Sequence, residues 1–440
     1  VPTSLEEFIA SSSADILGPA SDRRAPVEAV LPLRLVAALE LDATSSVAIV
    51  ADSAQSRWVV PIHRAADGFR RAVAGDAVAQ ALVDRLGAPL TADQRRDGFT
   101  LTTWHSDAAT GERSIGVDQT NESVIVGDAV VVKWNLRQPT SDDVTHPAVA
   151  RLTALAGFTG TPQVWGLLQW RAHSAASPLL IADLTAYVKD AQDGWDWAVA
   201  DVLALGRGEL DMDTALAPAK QIGMLTARMH IAFAAAGVDH ATSEQVSTWK
   251  ARAKRDLARV VADLDGPEGE RLRARAGTID AVYEEFDAAI GTPMIAIHGD
   301  FHVGQVLRFG PPYEYVVTDF EGNPVVPAGE RASHQPAALD VAGMHAAFDH
   351  VGRIVLHHHP EVDTDLIRTW ISNTGPAFDY EYFDTLARMR HKHIYDERLV
   401  RPFRFQQEVR EYLYALDHLP LWRYVPDGAL ADLIPAPKEQ

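Results

Sequence analysis

At 440 residues the chain is longer than one hydrophobic core comfortably fills, so two or three subdomains are expected. Acidic residues outnumber basic ones by 60 to 40, a formal charge of −20. That balance argues against non-specific binding to DNA or RNA, whose backbone is gripped by clustered Lys and Arg. There is no cysteine, which excludes disulfides, thiolate zinc sites and cysteine nucleophiles and leaves oxygen or imidazole as the metal ligands.

The opening VPTSLEEFIASSSADIL lacks the basic start and long apolar run of a signal peptide, and a start at Val1 suggests a processed or engineered terminus. No segment offers the roughly 18 consecutive apolar residues of a spanning helix. A soluble, cytoplasmic protein without membrane or nucleic-acid partners is expected, as a monomer or weak homodimer. The runs LRLVAALELD, SSVAIVAD and RWVVPIHR read as a β-meander. DGFRRAVAGDAVAQALVDRLG then spaces its apolar residues as an amphipathic helix ending at Gly87. Together they make an accessory module over residues 1–105.

In residues 106–184, SVIVGD and AVVVKW meet at Gly127-Asp128, a hairpin signal. A helix is expected at about 146–156, followed by the strand-length runs PQVWGLLQW and SPLLIADL. Residues 185–440 are mainly helical, interrupted by the short strands MIAIHGD, QVLRF and YEYVVTDF. His357, His358 and His359 are adjacent, so they cannot all face one point from a regular element, and no metal site is expected there. Trp195 and Trp197 read as packing residues.

The chemistry-bearing stretch is AIHGDFHVGQVLRFGPPYEYVVTDFEGNP, residues 296–324. Phosphoryl transfer needs a carboxylate to orient and deprotonate the acceptor hydroxyl, and oxygen ligands for a Mg²⁺ that bridges ATP phosphates. Asp300, Gln305 five positions on, and Asp319 at the end of the next strand supply those groups. The same cluster admits a metallohydrolase reading through His298, Asp300, His302 and Asp319. A strand lysine upstream favours the kinase: Lys133, one of seven lysines, lies inside AVVVKWN. The preceding loop DQTNES is placed to cover phosphates with backbone N–H groups and with Thr120, Asn121 and Ser123.

The stretches QTNESVIVGDAVVVKW, IHGDFHVGQVL and VTDFEGNP resemble the motifs of actinobacterial maltokinases and their relatives, over about residues 25–435. The resemblance implies an α+β, bilobal protein-kinase-like fold of the aminoglycoside-phosphotransferase type. It would have an N-terminal cap subdomain (1–105), a small β-rich nucleotide lobe (106–184) and a large helical lobe (185–440). It implies an ATP- and Mg²⁺-dependent sugar kinase in which Asp300 is the base and contacts the acceptor. Gln305 and Asp319 are then the magnesium ligands and Lys133 the phosphate lysine. Thr120, Asn121, Ser123, Ala182 and Leu184 surround ATP, and His302 approaches the acceptor. One departure stands out: HPAVARLTAL has Ala150 or Arg151 where such kinases offer a glutamate to the lysine.

The acceptor should be chosen by RFQQEVREYLYALDHLPLWRYVPDGAL. Helical spacing groups Arg404, Glu408, Glu411 and Tyr412, bordered by Gln407 and Tyr414. Glu411 and Tyr414 stand where maltokinases keep a glutamate and a tyrosine. The extra acid and aromatics, Glu408, Tyr412 and Trp422, suit a small cationic sugar and would line the acceptor site with Glu411. The tail LPLWRYVPDGAL resembles a branch of this family that acts as glucosamine kinases. Phosphorylation of D-glucosamine at O6 is therefore expected. The alternatives are a maltokinase making maltose 1-phosphate, an aminoglycoside- or choline-type phosphotransferase, or a non-catalytic nucleotide sensor.

Overall fold

The computed structural model describes residues 4–18, 31–115, 122–138 and 145–434. The chain divides into two compact units, Val1–Lys189 with Pro324–Ala332, and Asp190–Asn323 with Ser333–Gln440. In the first, helix α1 (Leu5–Ser11) starts at an Ser4 N-cap and leads to the antiparallel strands β1 (Arg34–Glu40), β2 (Ser45–Ala51), β3 (Arg57–Ala65) and β4 (Gly68–Arg71). Strand β2, SSVAIVA, is buried along its whole length because its two faces meet different cores. Ala48 and Val50 pack with Ile9, Leu17, Trp58 and Val60, while Val47 and Ile49 join the apolar cluster of the second sheet.

The expected helix over residues 67–87 divides into β4 and a shorter helix, α2 (Val78–Arg85). Gly68 and Gly75 have φ of 132° and 104°, outside the helical region, and the 68–71 segment completes the ladder on β3. Helix α3 (Ala92–Arg96) follows behind a capping box made by Thr91 and Gln94.

The second sheet has the order β5 (Phe99–Thr103), β10 (Val164–Trp170), β11 (Leu179–Ala186), β8 (Val130–Trp134), β7 (Glu122–Val126), β6 (Glu112–Ser114). The β7–β8 hairpin turns at Gly127 and Asp128, with φ of 59° and 48°, the paired positive values that a two-residue turn matched to strand twist demands. Strand β9 (Arg137–Gln138) leaves β8 and pairs with β3 of the first sheet, and α4 (Pro147–Leu155) follows. One apolar cluster runs through both sheets, from Leu39, Val47 and Val59 to Val124, Val132, Trp134 and Leu184.

The second unit opens with α5 (Gly194–Gly206), α6 (Met212–Ala234), β12 (Asp239–His240), α7 (Ser243–Asp263) and α8 (Gly266–Tyr283). The expected strand MIAIHGD contracts to β13 (Pro293–Met294), paired with β12. Beyond it Ile295 exchanges both backbone hydrogen bonds with Gln335, and the chain becomes irregular up to the hairpin β14 (Val306–Phe309) and β15 (Glu314–Val317). After α9 (Ala328–Arg331), which belongs to the first unit, come α10 (Ala338–His358), α11 (Thr364–Arg388), α12 (Val400–Asp417) and α13 (Tyr424–Leu433). The core of this unit gathers Leu257, Tyr283, Phe286, Phe405, Val409 and Tyr412. No helix among the described residues is long and apolar enough to cross a membrane.

Candidate active site

The irregular segment 295–302 is held by one carboxylate. Asp340, on the first turn of α10 and 1% exposed, accepts from the backbone N–H of His298 at 2.7 Å and of Gly299 at 2.8 Å. His230 of α6 reaches the same carboxylate at 3.1 Å through Nε2, and its Nδ1 lies 2.8 Å from the Tyr382 hydroxyl of α11. Burial alone would raise the Asp340 pKa. The hydrogen bond from His230, the fields of His230 and His298 and the Gly299 amide instead hold it below the usual carboxylate range. Three helices thus converge on the two peptide groups that precede Asp300.

His298 carries the order one step further. Its Nε2 donates to the Thr318 carbonyl at 2.9 Å, which leaves Nδ1 as the acceptor for the Asp300 N–H at 3.3 Å. One imidazole therefore fixes the backbone of Asp300 against the residue that precedes Asp319. Asp300 Oδ1 accepts from Asn323 Nδ2 at 2.7 Å. Among the described residues nothing donates a hydrogen bond to Oδ2.

Gln305 and Asp319 emerge at the same end of the β14–β15 hairpin. Val306 pairs with Val317, and one residue outward Thr318 N–H donates to the Gln305 carbonyl at 2.8 Å. Asp319 sits at φ 61°, a left-handed conformation that costs a non-glycine residue about 1 kcal/mol or more and marks candidate functional positions. His302 caps the short 3₁₀ turn Val303–Gln305. Its Nδ1 accepts from the Gly304 N–H at 3.1 Å, its ring stacks on Trp195 at 5.9 Å, and its Nε2 lies 3.4 Å from Gln305 Nε2. Helix α5 closes over this turn at contact distance: a Cβ on Gly194 would lie 1.7 Å from the Val303 carbonyl oxygen. Trp197 Nε1 donates to the Val306 carbonyl at 2.9 Å, and Arg308 binds Gln192 at 2.8 Å and Asp201 at 2.5 Å.

At this hairpin end Gln305 and Asp319 would offer a metal an amide oxygen and a carboxylate. Mg²⁺ takes such a pair when substrate phosphates and waters complete its shell. Among the described residues no group of three or more His, Asp or Glu side chains could hold a metal unaided. The metallohydrolase reading loses the His298 imidazole, because both of its nitrogens are engaged with the backbone, and His302 has its Nδ1 taken by the Gly304 N–H.

In the first unit, Lys133 lies on β8 directly opposite Ser123 of β7 and Asp183 of β11. Ala182 and Leu184 lie on the other face of β11, fully buried with Val132 and Trp134, so their side chains serve the core. Thr120 and Asn121 lie outside the described residues.

The C-terminal group is split by burial. Glu408 is 0% exposed; it meets His350 Nε2 at 3.1 Å and pairs with Arg404, which reaches on to Asp349 at 2.9 Å. Tyr412 is likewise 0% exposed, its hydroxyl 3.4 Å from Asp427 Oδ1. Glu411 is half-buried and placed differently. It accepts from Gln407 Nε2 at 2.9 Å on one oxygen and from Trp422 Nε1 at 2.8 Å on the other. His350 meets the Trp422 ring edge-on at 6.0 Å, joining the buried ion network to the half-exposed one. Asn323, Asp340, His230 and Asp183 were not singled out by the sequence reading.

The fold and the site define an ATP-dependent sugar kinase. No protein-family model matches the chain. It is 49% identical over 435 residues to a glucosamine kinase of Streptacidiphilus jiangxiensis, covering 98% of both chains. It is 41% identical over 379 residues to a glucosamine kinase of Mycolicibacterium smegmatis, covering 85% of this chain and 92% of that one. The solved structure of a glucosamine kinase in complex with glucosamine, ADP and inorganic phosphate superposes with a TM-score of 0.88 at 46% identity, over 98% of this chain and 99% of that one. The chain belongs to the glucosamine kinase family.

Two outcomes follow from the buried carboxylates. Asp340→Ala strands two amides and an imidazole, and should cost about 3–5 kcal/mol in urea denaturation. For the second, burial lowers the pKa of His350, but the charge and hydrogen bond of Glu408, with Glu411 behind, raise it above its ordinary value. Burial raises the pKa of Glu408, and the charges of Arg404 and His350 lower it below its ordinary value. A raised histidine stabilises fully below its unfolded pKa of about 6.5 and loses that contribution as pH climbs through the folded value. A lowered glutamate does so above about 4.3 and loses it in acid. The stability gap between the native protein and His350→Gln should therefore be widest between those limits and shrink from pH 6.5 to 9. A gap that stays constant over that range would count against the ion pair.

Proposed function

We propose that the protein transfers the γ-phosphoryl group of ATP to the 6-hydroxyl of D-glucosamine, yielding glucosamine 6-phosphate and ADP. Full-length identity of 49% to a glucosamine kinase carries this reading. The site chemistry supports it. Asp300, oriented by Asn323 through Oδ1, presents its second oxygen to the sugar hydroxyl and takes its proton as the new O–P bond forms. Gln305 and Asp319 would hold Mg²⁺, which when bound neutralises charge on the phosphates. Lys133 holds the phosphates from the sheet, and the reaction takes place in the cytoplasm.

The acceptor site is centred on Glu411. Its carboxylate is held by Gln407 and Trp422, and it remains half-buried where an ammonium can reach it. The Trp422 ring offers a flat apolar surface to the sugar. Glu408 and Tyr412 act from behind, through His350 and the core of α12, and His302 braces Gln305.

Asp300→Asn should lower kcat by about 10²–10⁴-fold while ADP affinity stays within about twofold. Unchanged turnover would remove Asp300 as base. Glu411→Gln should raise the KM for glucosamine by about tenfold or more and leave glucose little affected, since the lost group is the partner of the amine. Both are read in an ADP-release assay over glucosamine, glucose, maltose and N-acetylglucosamine, with the phosphate position fixed by NMR. Turnover of maltose without glucosamine would overturn the assignment.

A further inference from the structure

A lysine that must present its ammonium to phosphates needs a counter-charge to hold it in line, and α4 cannot supply one. Its sequence, PAVARLTAL, contains no carboxylate, and its Arg151, 2% exposed, donates to the Arg331 carbonyl of α9 at 2.6 Å. The sheet has a different candidate. In the antiparallel register Lys133 of β8 stands directly opposite Asp183 of β11. Directly opposed residues project from the same face with Cβ atoms about 4.5–5.5 Å apart.

A second contact fixes the direction of the Asp183 side chain. Asn135, two residues beyond Lys133 and so on the same face, donates from Nδ2 to Asp183 Oδ2 at 3.2 Å. Asn135 is itself pinned: its N–H donates to the Ile181 carbonyl at 3.0 Å, and its own carbonyl accepts from Gln138 Nε2 at 2.6 Å. Asp183 is 8% exposed, and a carboxylate so far out of water needs a cation or several donors beside it. Of the residues in β7, β8 and β11, the one other acid is Glu122. It stands opposite Trp134 on the other face and is bound by Arg71.

We propose that Asp183 is the positioning residue for Lys133, supplying from the neighbouring strand the carboxylate that α4 lacks. This rests on the reading of Lys133 as the phosphate lysine. The two partners are then held in register by ladder hydrogen bonds of one sheet, so the lysine's direction does not depend on where a separate helix packs.

The test compares Asp183→Asn, Lys133→Met and the double variant by kcat/KM for ATP, KM for glucosamine and thermal midpoint. The amide of Asp183→Asn removes the charge and keeps an acceptor for Asn135. We expect Asp183→Asn to lower kcat/KM for ATP at least tenfold with the KM for glucosamine unchanged, and the double variant to be no worse than Lys133→Met alone. Activity of Asp183→Asn within twofold of the native protein, or a double variant showing the full product of the two losses, overturns the proposal and leaves the lysine assignment standing. Should Lys133→Met itself leave kcat/KM for ATP unchanged, the lysine assignment falls and the proposal with it. If Asp183→Asn does not fold, Asp183→Glu is compared with Asp183→Gln, which differ in charge and share a stem length. Glu should exceed Gln at least tenfold, and equal activities refute the proposal.

Discussion

A carboxylate taken entirely out of water is several kcal/mol unfavourable unless charges and donors surround it, and Asp340 is surrounded by the parts that carry the chemistry. Its donors are the amides of His298 and Gly299 and the imidazole of His230. The segment before Asp300 has no strand partner beyond Ile295, so its shape comes from this carboxylate rather than from a ladder. The same anion ties α10 to α6 and, through Tyr382, to α11. The path of the loop and the packing of the helical unit are thus one constraint.

From that anchor the order spreads through backbone-directed histidines. His298 links Asp300 to Thr318, and His302 caps the turn that ends in Gln305. Helix α5 presses on that turn from outside through Gly194, Trp195 and Trp197. The proposed base and the proposed metal ligands therefore sit on a short piece of chain whose peptide groups are fixed on several sides. Positioning of that kind is what phosphoryl transfer asks of a protein, since there is little covalent chemistry for it to perform.

Much of this was legible in the sequence where the signal is local. The hairpin turn at Gly127-Asp128, the strand bearing Lys133 and the Asp300–Gln305–Asp319 spacing are short-range patterns, and the first two recur as elements of the structure. Long-range partners left no such trace. Asp340 lies 42 positions from His298 and His230 lies 110 from Asp340, so neither could be tied to the loop by spacing. Helical periodicity grouped Arg404, Glu408, Glu411 and Tyr412 but could not say which way the helix faces. Burial sends Glu408 and Tyr412 inward and leaves Glu411 near the surface. In β11 the difference is one of parity: Ala182 and Leu184 go to the core, and the residue between them, Asp183, shares the face of Lys133.

The two-residue strand β9 has a reach out of proportion to its length. By pairing with β3 it splices the N-terminal sheet onto the one bearing Lys133, and a single apolar cluster fills both. The N-terminal portion is consequently not a detachable accessory: cutting near residue 105 would remove the pairing partner of β10 and open the shared interior to water. A chimera that exchanges parts between relatives would keep its cores whole if joined at 189/190, 323/324 and 332/333. Such a graft would inherit the lysine strand and the N-terminal sheet together, as one heritable block.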